Sequence, residues 1–305
     1  MKSMLLEIFY VLAGLVSIAA AIYALKDKKH PAPKGTATFW GIFGLIFIIG
    51  KYLPPALVGL LILVMGCLTA INKVTFGSLK NSEEPFRQKE ANKLGYKLFI
   101  PALTIGIVAF SVAQFLPDLG GLVGLGFGAV LSILFCLGIT KSAPSNLTYD
   151  GSRLLLQIGA ASILPQLLTA LGALFKAAGV GEVIASGIGS IIPQGNILAG
   201  VIAYCVGMAV FTMIMGNAFA AFAVITTGIG MPFVFSQGAD PAIAGILGLT
   251  AGYCGTLMTP MAANFNIVPA AVLDTKNKNR VIISQVPFAL ALFVTHIVLM
   301  YVLAF

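Results

Sequence analysis

Two short polar interruptions inside apolar stretches hold the residue types best suited to binding a small ligand. One reads Met215-Gly216-Asn217-Ala218, the other Thr259-Pro260-Met261-Ala262-Ala263-Asn264-Phe265-Asn266. Neither carries a charge. Gly216 permits a backbone turn that other residues resist, and Asn217 offers both an amide donor and a carbonyl acceptor. A helix that ends at such a turn exposes unpaired backbone groups. Its N–H groups attract an anion and its C=O groups a cation. The second interruption is denser. Pro260 withdraws a backbone donor, while Thr259, Asn264 and Asn266 add oxygens that suit a hard cation such as sodium. The segments that follow, 218–227 and 267–273, would turn their N-terminal dipoles toward a carboxylate. Thr226, Thr227, Gln157 and Gln166 are polar enough to line the same space. The plainer alternatives are an Asn that joins two helices by hydrogen bonding and a Pro-kinked structural helix.

Other chemistries lack their residues. The chain has no H-E-x-x-H, no nucleophile elbow and no phosphate loop, and no paired acids, so the expectation is that it is not an enzyme. His30 stands in a basic loop and His296 alone in the last apolar stretch. Glu182 and Asp240 fall in turns between apolar segments, which favours sodium over protons as a coupling ion. Cys67, Cys136, Cys205 and Cys254 lie within apolar segments without C-x-x-C spacing and act as small hydrophobes.

The elements that must position these residues are written in the hydropathy. The chain is 59% hydrophobic and 9% charged, against about 25% charged in a soluble domain. That deficit requires a lipid bilayer as its surroundings. Apolar runs of about 20 residues predict helical spans, at 4–25, 37–53, 55–72, 98–116, 121–139, 153–175 and 281–304. The net charge of +8 comes from Lys and Arg between spans. It reads as a positive-inside bias, not as a nucleic-acid surface. Placing the basic loops 26–34, 73–97, 140–153 and 274–280 in the cytoplasm puts the N-terminus outside. The run after Lys2 is longer than a signal-peptide core and reads as a first span.

Irregular backbone at membrane depth is tolerated only where protein buries it or it lines a cavity. Residues 197–216 and 218–235 therefore read as a re-entrant hairpin with its tip at Gly216-Asn217. Residues 241–258 and 267–274 read as one helix broken at 259–266, and 179–195 as an amphipathic segment before them. The expected fold class is an all-α integral membrane protein with about eight spanning helices, one re-entrant hairpin and one broken helix. Residues 1–152 would be N-terminal scaffold helices and 153–305 a transport-type repeat. Gly120, Gly124 and Gly128, and Gly248 and Gly252, stand at the spacing that lets helices pack closely in lipid.

The stretch 197–280 resembles the ion transporter superfamily of secondary carriers, in which a hairpin with an Asn at its tip precedes an unwound helix with a Thr-Pro…Asn pattern. The matching residues are Gly216, Asn217, Thr259, Pro260 and Asn264, and the resemblance implies substrate and sodium contacts there. The chain departs from those carriers at Ala218, where a Thr often follows the Asn. Only one such set is present, so the chain looks like half of a transporter. Over nearly its whole length it resembles a bacterial membrane family that is usually encoded beside a smaller membrane protein. The pair is regarded as a two-subunit carrier for 5-oxoproline. The resemblance thus implies a subunit of a secondary transporter in the bacterial cytoplasmic membrane, importing a small carboxylate with a cation gradient. Gly216, Asn217, Thr259, Pro260, Asn264 and Asn266 would bind the substrate. Asn217, Thr259 and Asn264 would take sodium as the coupling ion, and no other cofactor is expected. A homodimeric carrier for another organic anion, and a scaffold subunit that does not transport, are the competing expectations.

Overall fold

The chain folds into apolar helices because a helix satisfies its own backbone hydrogen bonds where no water can. The computed structural model describes residues 1–189, 195–273 and 275–305. Among them, eight helices are long and apolar enough to cross a membrane, and no strand occurs. The protein is an all-helical, multi-pass membrane protein. It divides into two compact units, Met1–Gly159 and Ala160–Phe305.

The first unit contains α1 (Lys2–Lys26), α2 (Pro33–Ile49), α3 (Pro55–Ala70), α4 (Glu84–Leu94), α5 (Ile100–Phe115), α6 (Gly120–Thr140) and α7 (Pro144–Ile158). Gly14 of α1 and Gly44 of α2 bring those two helices into backbone contact. Gly124 and Gly128 do the same for α6 against Ala109 and Ile105 of α5, as their spacing predicts. The turn after α1 is tied to the segment after α3. The Asp27 carboxylate accepts from the Ser78 amide and from its hydroxyl at 2.6 Å, and the buried Thr36 hydroxyl accepts from the Thr75 amide at 3.1 Å.

Two expectations need correction here. The stretch 73–97 is not wholly loop: α4 runs through it and continues by a 3₁₀ turn at Gly95–Phe99 into α5. A helix polar on every side has no apolar stripe to reveal it, although Pro85 in its first turn is a start signal. The expected span 153–175 lies within a longer helical run, 144–177, that is long and apolar enough to cross a membrane. Helix α7 already begins at Pro144, and Gly159 after it has a φ of +55°, a conformation open to glycine at little cost.

The second unit contains α8 (Leu164–Ala177), α9 (Val180–Gly189), α10 (Ile197–Met215), α11 (Ala218–Ile225), a π-helical turn at Thr226–Gly230, α12 (Met231–Phe233), α13 (Pro241–Leu257), α14 (Ile267–Val272) and α15 (Arg280–Leu303). Residues 190–194 of the expected amphipathic segment, and residue 274 at the end of the expected broken helix, lie outside the described residues. Each arm of the hairpin, 197–215 and 218–237, is long enough to cross a membrane. Glycines fix the register of α13 on α10: Gly248 lies against Tyr204, Gly252 against Met208 and Thr212, and Gly255 against Ala209. The numbering rises together on both helices, so α10 and α13 run side by side in the same direction. Helix α15 returns against them, its Ala304 carbonyl accepting from the Asp240 amide at 2.8 Å. The core between these helices is built from Tyr204, Met208, Ile225, Ile229 and Met300, all fully buried. Because α10 and α13 are parallel, their C-terminal ends, and with them both polar interruptions, arrive at the same place.

Candidate functional site

Helix α10 ends at Gly216, which adopts a left-handed φ of +68°. Its N–H donates to the Thr212 carbonyl at 2.6 Å. A β-carbon at Gly216 would collide with the Met261 carbonyl and approach Leu168 to 2.9 Å. Glycine is therefore required twice, by the dihedral angle and by the space. Asn217 is the N-cap of α11. Its Oδ1 accepts from the Phe219 and Ala220 amides at 3.0 and 3.4 Å, as an N-cap Asn does. Its Nδ2 donates to the Thr169 hydroxyl of α8 at 3.2 Å.

The second interruption is held from inside. Thr259, 5% exposed, donates its hydroxyl to the Met213 carbonyl in the last turn of α10 at 2.9 Å and accepts from the Met261 amide at 3.2 Å. Asn266, 1% exposed, donates its amide to the Thr256 and Thr259 carbonyls at 2.8 and 2.7 Å. Carbonyls at the end of a helix have no intrahelical donor, and these two side chains supply donors to them. The Asn266 Oδ1 is buried without a partner. Pro260 is exposed at the start of the turn. Asn264, also exposed, makes no side-chain hydrogen bond with any described residue.

Between the hairpin tip and the broken helix lies a cavity of about 180 Å³. Gly216, Asn217 and Asn264 line it together with Pro165, Leu168, Ala218, Phe219, Tyr253, Thr256, Met261, Ala263 and Phe265. Three of the six expected binding residues thus meet at one space. Thr259, Pro260 and Asn266 do not line it, because the Thr259 hydroxyl and the Asn266 amide face the helix ends they cap. The expected sodium set divides differently: Asn217 and Thr259 are engaged with protein groups, and Asn264 bonds to no described residue. Gln166 lines a separate open groove along α8 with Thr169, Ala170 and Ala173. Thr226 pairs with the Tyr204 hydroxyl at 2.8 Å, and Thr227 bonds back to the Ala223 carbonyl. Gln157 belongs to the first unit.

Sequence reasoning missed the aromatic part of this wall. Phe219, Tyr253 and Phe265 come from α11, α13 and the broken stretch. Their rings pack at centroid distances of 6.0 Å for Phe219–Tyr253 and 6.1 Å for Tyr253–Phe265. The available signal was adjacency, since Phe219 and Phe265 lie within two residues of Asn217 and Asn264. Among the described residues, no Asp, Glu, His, Lys or Arg lines the cavity. Such a site can contact an apolar body on its aromatic side, hydrogen-bond through the Asn264 amide, and favour negative charge near the start of α11.

The chain matches, over residues 7–305, the family described as "Protein of unknown function (DUF979)", and it belongs to that family. No curated protein and no solved structure matches it.

Proposed function

We propose that this DUF979-family chain is a subunit of a secondary active transporter that imports a small carboxylate, 5-oxoproline, across the bacterial cytoplasmic membrane. A cation gradient, sodium in this reading, drives the import, and a second, smaller membrane subunit completes the carrier. The observation that carries the reading is the cavity where a hairpin tip and a broken helix meet, with no charged side chain among its described lining residues. Discontinuous helices that bring their ends to a common cavity are the usual construction of a carrier's binding site. The dipole of α11, whose Phe219 and Ala220 amides are capped by Asn217, favours one carboxylate, and the open Asn264 amide supplies a polar contact for it. A cavity of about 150 Å³ admits benzene, so about 180 Å³ suits a ligand of that size or slightly larger. The substrate's identity rests on the family resemblance alone.

The test is uptake of radiolabelled 5-oxoproline into proteoliposomes holding this chain alone or with the smaller membrane protein encoded beside it, each with and without a sodium gradient. Uptake that needs both chains and the gradient is the expected result. Uptake by this chain alone would replace the two-subunit carrier with a homo-oligomeric one. No uptake of any carboxylate by folded protein would overturn the transport reading. The use of Asn217, Thr259 and Asn266 as helix caps favours a second reading, a scaffold subunit whose polar residues serve its own fold. That reading requires Asn264→Ala to leave uptake unchanged, whereas the carrier reading requires uptake to fall.

A further inference from the structure

We propose that Tyr253 determines which carboxylates the cavity accepts, by presenting an aromatic wall to a compact ring on the ligand; this rests on the carrier reading above. Tyr253 is the common member of the aromatic group. The Phe219 and Tyr253 rings stand at an interplanar angle of 89°, and the Phe265 ring is tilted against Tyr253 at 51°. Phe219 is 65% exposed and Phe265 stands in the broken stretch, whereas Tyr253 is fixed on the regular helix α13. The Tyr253 hydroxyl makes no hydrogen bond with a described residue, in contrast to the Tyr204 hydroxyl, which pairs with Thr226. Tyr253 is half-buried and lines the cavity, so its side chain is open to a ligand there.

The same wall defines what is refused. A ligand ammonium group, or a second carboxylate, would meet no opposite charge among the described lining residues, and a charge taken out of water without a partner is strongly disfavoured. The class that fits is a ring monocarboxylate without a free amine, with an amide that Asn264 can match as both donor and acceptor. An acyclic monocarboxylate of similar size fits the polar contacts but leaves the ring face of Tyr253 uncovered.

The experiment is equilibrium binding of radiolabelled 5-oxoproline to the full-length chain in lipid nanodiscs, with and without the second subunit. Cyclopentanecarboxylate, N-acetylglycine, proline and glutamate serve as competitors. The ring acid is expected to compete better than the acyclic N-acetylglycine, and both better than proline or glutamate. In Tyr253→Ala, affinity for 5-oxoproline and cyclopentanecarboxylate falls about tenfold, the scale of a lost aromatic contact, while that for N-acetylglycine holds. Tyr253→Phe keeps the ring preference. Tyr253→Leu, which fills similar space without a flat face, gives the same loss of preference and serves if the Ala variant unfolds. Equal weakening of every ligand, or an undiminished ring preference in the Ala and Leu variants, overturns the proposal and leaves the carrier reading standing. Failure of the unaltered protein to bind any carboxylate overturns both.

Discussion

The two interruptions of the second unit solve the same problem at very different lengths. At Gly216–Asn217 a single left-handed glycine ends α10 and a single Asn starts α11. From Met258 to Asn266 the chain leaves helical geometry for a longer run, and Thr259 and Asn266 reach across it to donate to the carbonyls of Met213, Thr256 and Thr259 itself. The comparison teaches that helix ends claim polar side chains before a ligand can. The short break consumes one such residue and the long break two. Asn264 is the polar residue the long break leaves over, and it faces the cavity.

The largest effect is expected at the short break. Gly216→Val meets both a forbidden dihedral angle and the Met261 carbonyl. It should cost about 3 kcal/mol or more, read as loss of folded protein on thermal unfolding in detergent. A variant of normal stability would show that α10 can end without glycine, and the contrast between a tight and a loose break would collapse.

Within the long break, the two Asn residues should separate. Asn266→Ala leaves two buried carbonyls without their donor and should destabilise the protein by about 2–3 kcal/mol. Asn264→Ala should change stability by less than about 0.5 kcal/mol yet abolish uptake. If the two variants behave alike in unfolding and in transport, the division between capping and ligand-facing residues fails.

Asn217 sharpens the same division with a smaller stability change. Asn217→Ala removes the N-cap at a cost of about 1 kcal/mol. Asn217→Asp keeps the cap, because a carboxylate accepts the same two amide donors. Its charge should nonetheless lower carboxylate uptake about tenfold or more by like-charge repulsion at close range. Undiminished uptake by the Asp variant would place the substrate away from the hairpin tip.

The smallest expected effect is a pH dependence that lies away from the cavity, which no Asp, Glu or His among the described residues lines. It belongs to the tie between the turn after α1 and the segment around Ser78. The Ser78 hydroxyl and amide hold the Asp27 carboxyl below its ordinary 3.8, assisted by the Lys29 amide. Burial holds His30 below its ordinary 6.5, with the Asp27 carboxylate opposing the shift. Both groups release their protons more readily in the folded state, so both stabilise it at higher pH. The His30 contribution is complete above pH 6.5 and declines as the pH falls toward its lowered folded value. The Asp27 contribution declines only below 3.8. Protection of the Ser78 amide against hydrogen exchange, taken relative to the intrinsic rate at each pH, should therefore fall as the pH drops below 6.5, and His30→Gln should remove that step. If protection does not change across that range, His30 has no part in the tie.

Much of the fold was legible in the residues. A carbon-rich run of helix length can only be a helix in lipid, so α1, α2, α3, α5, α6, α10, α13 and α15 follow from hydropathy with small shifts at their ends. Both breaks were legible because Gly, Pro and Asn are conspicuous against an apolar background. Helix α4 was not, because a polar helix leaves no hydropathy signature, and neither was the interruption at Gly159, since glycine inside an apolar run reads equally as a packing contact. The aromatic wall was hidden for a related reason: Phe219, Tyr253 and Phe265 look like any other lipid-facing rings until three elements bring them together.

The sequence by itself determined that this protein lives in a bilayer, that its elements are helices, and which residues interrupt them, because each of these follows from the local free energy of placing a side chain or a peptide group in hydrocarbon. Only the tertiary structure decided what the interruptions do. The close approach of α13 to α10 through Gly248, Gly252 and Gly255 sets the two helices parallel and carries both breaks to one cavity. That alignment also fixes which carbonyls lie within reach of Thr259 and Asn266, and so which polar groups are engaged and which remain open. Hydrogen-bond partnership is a property of distance across the fold, and spacing along the chain does not contain it.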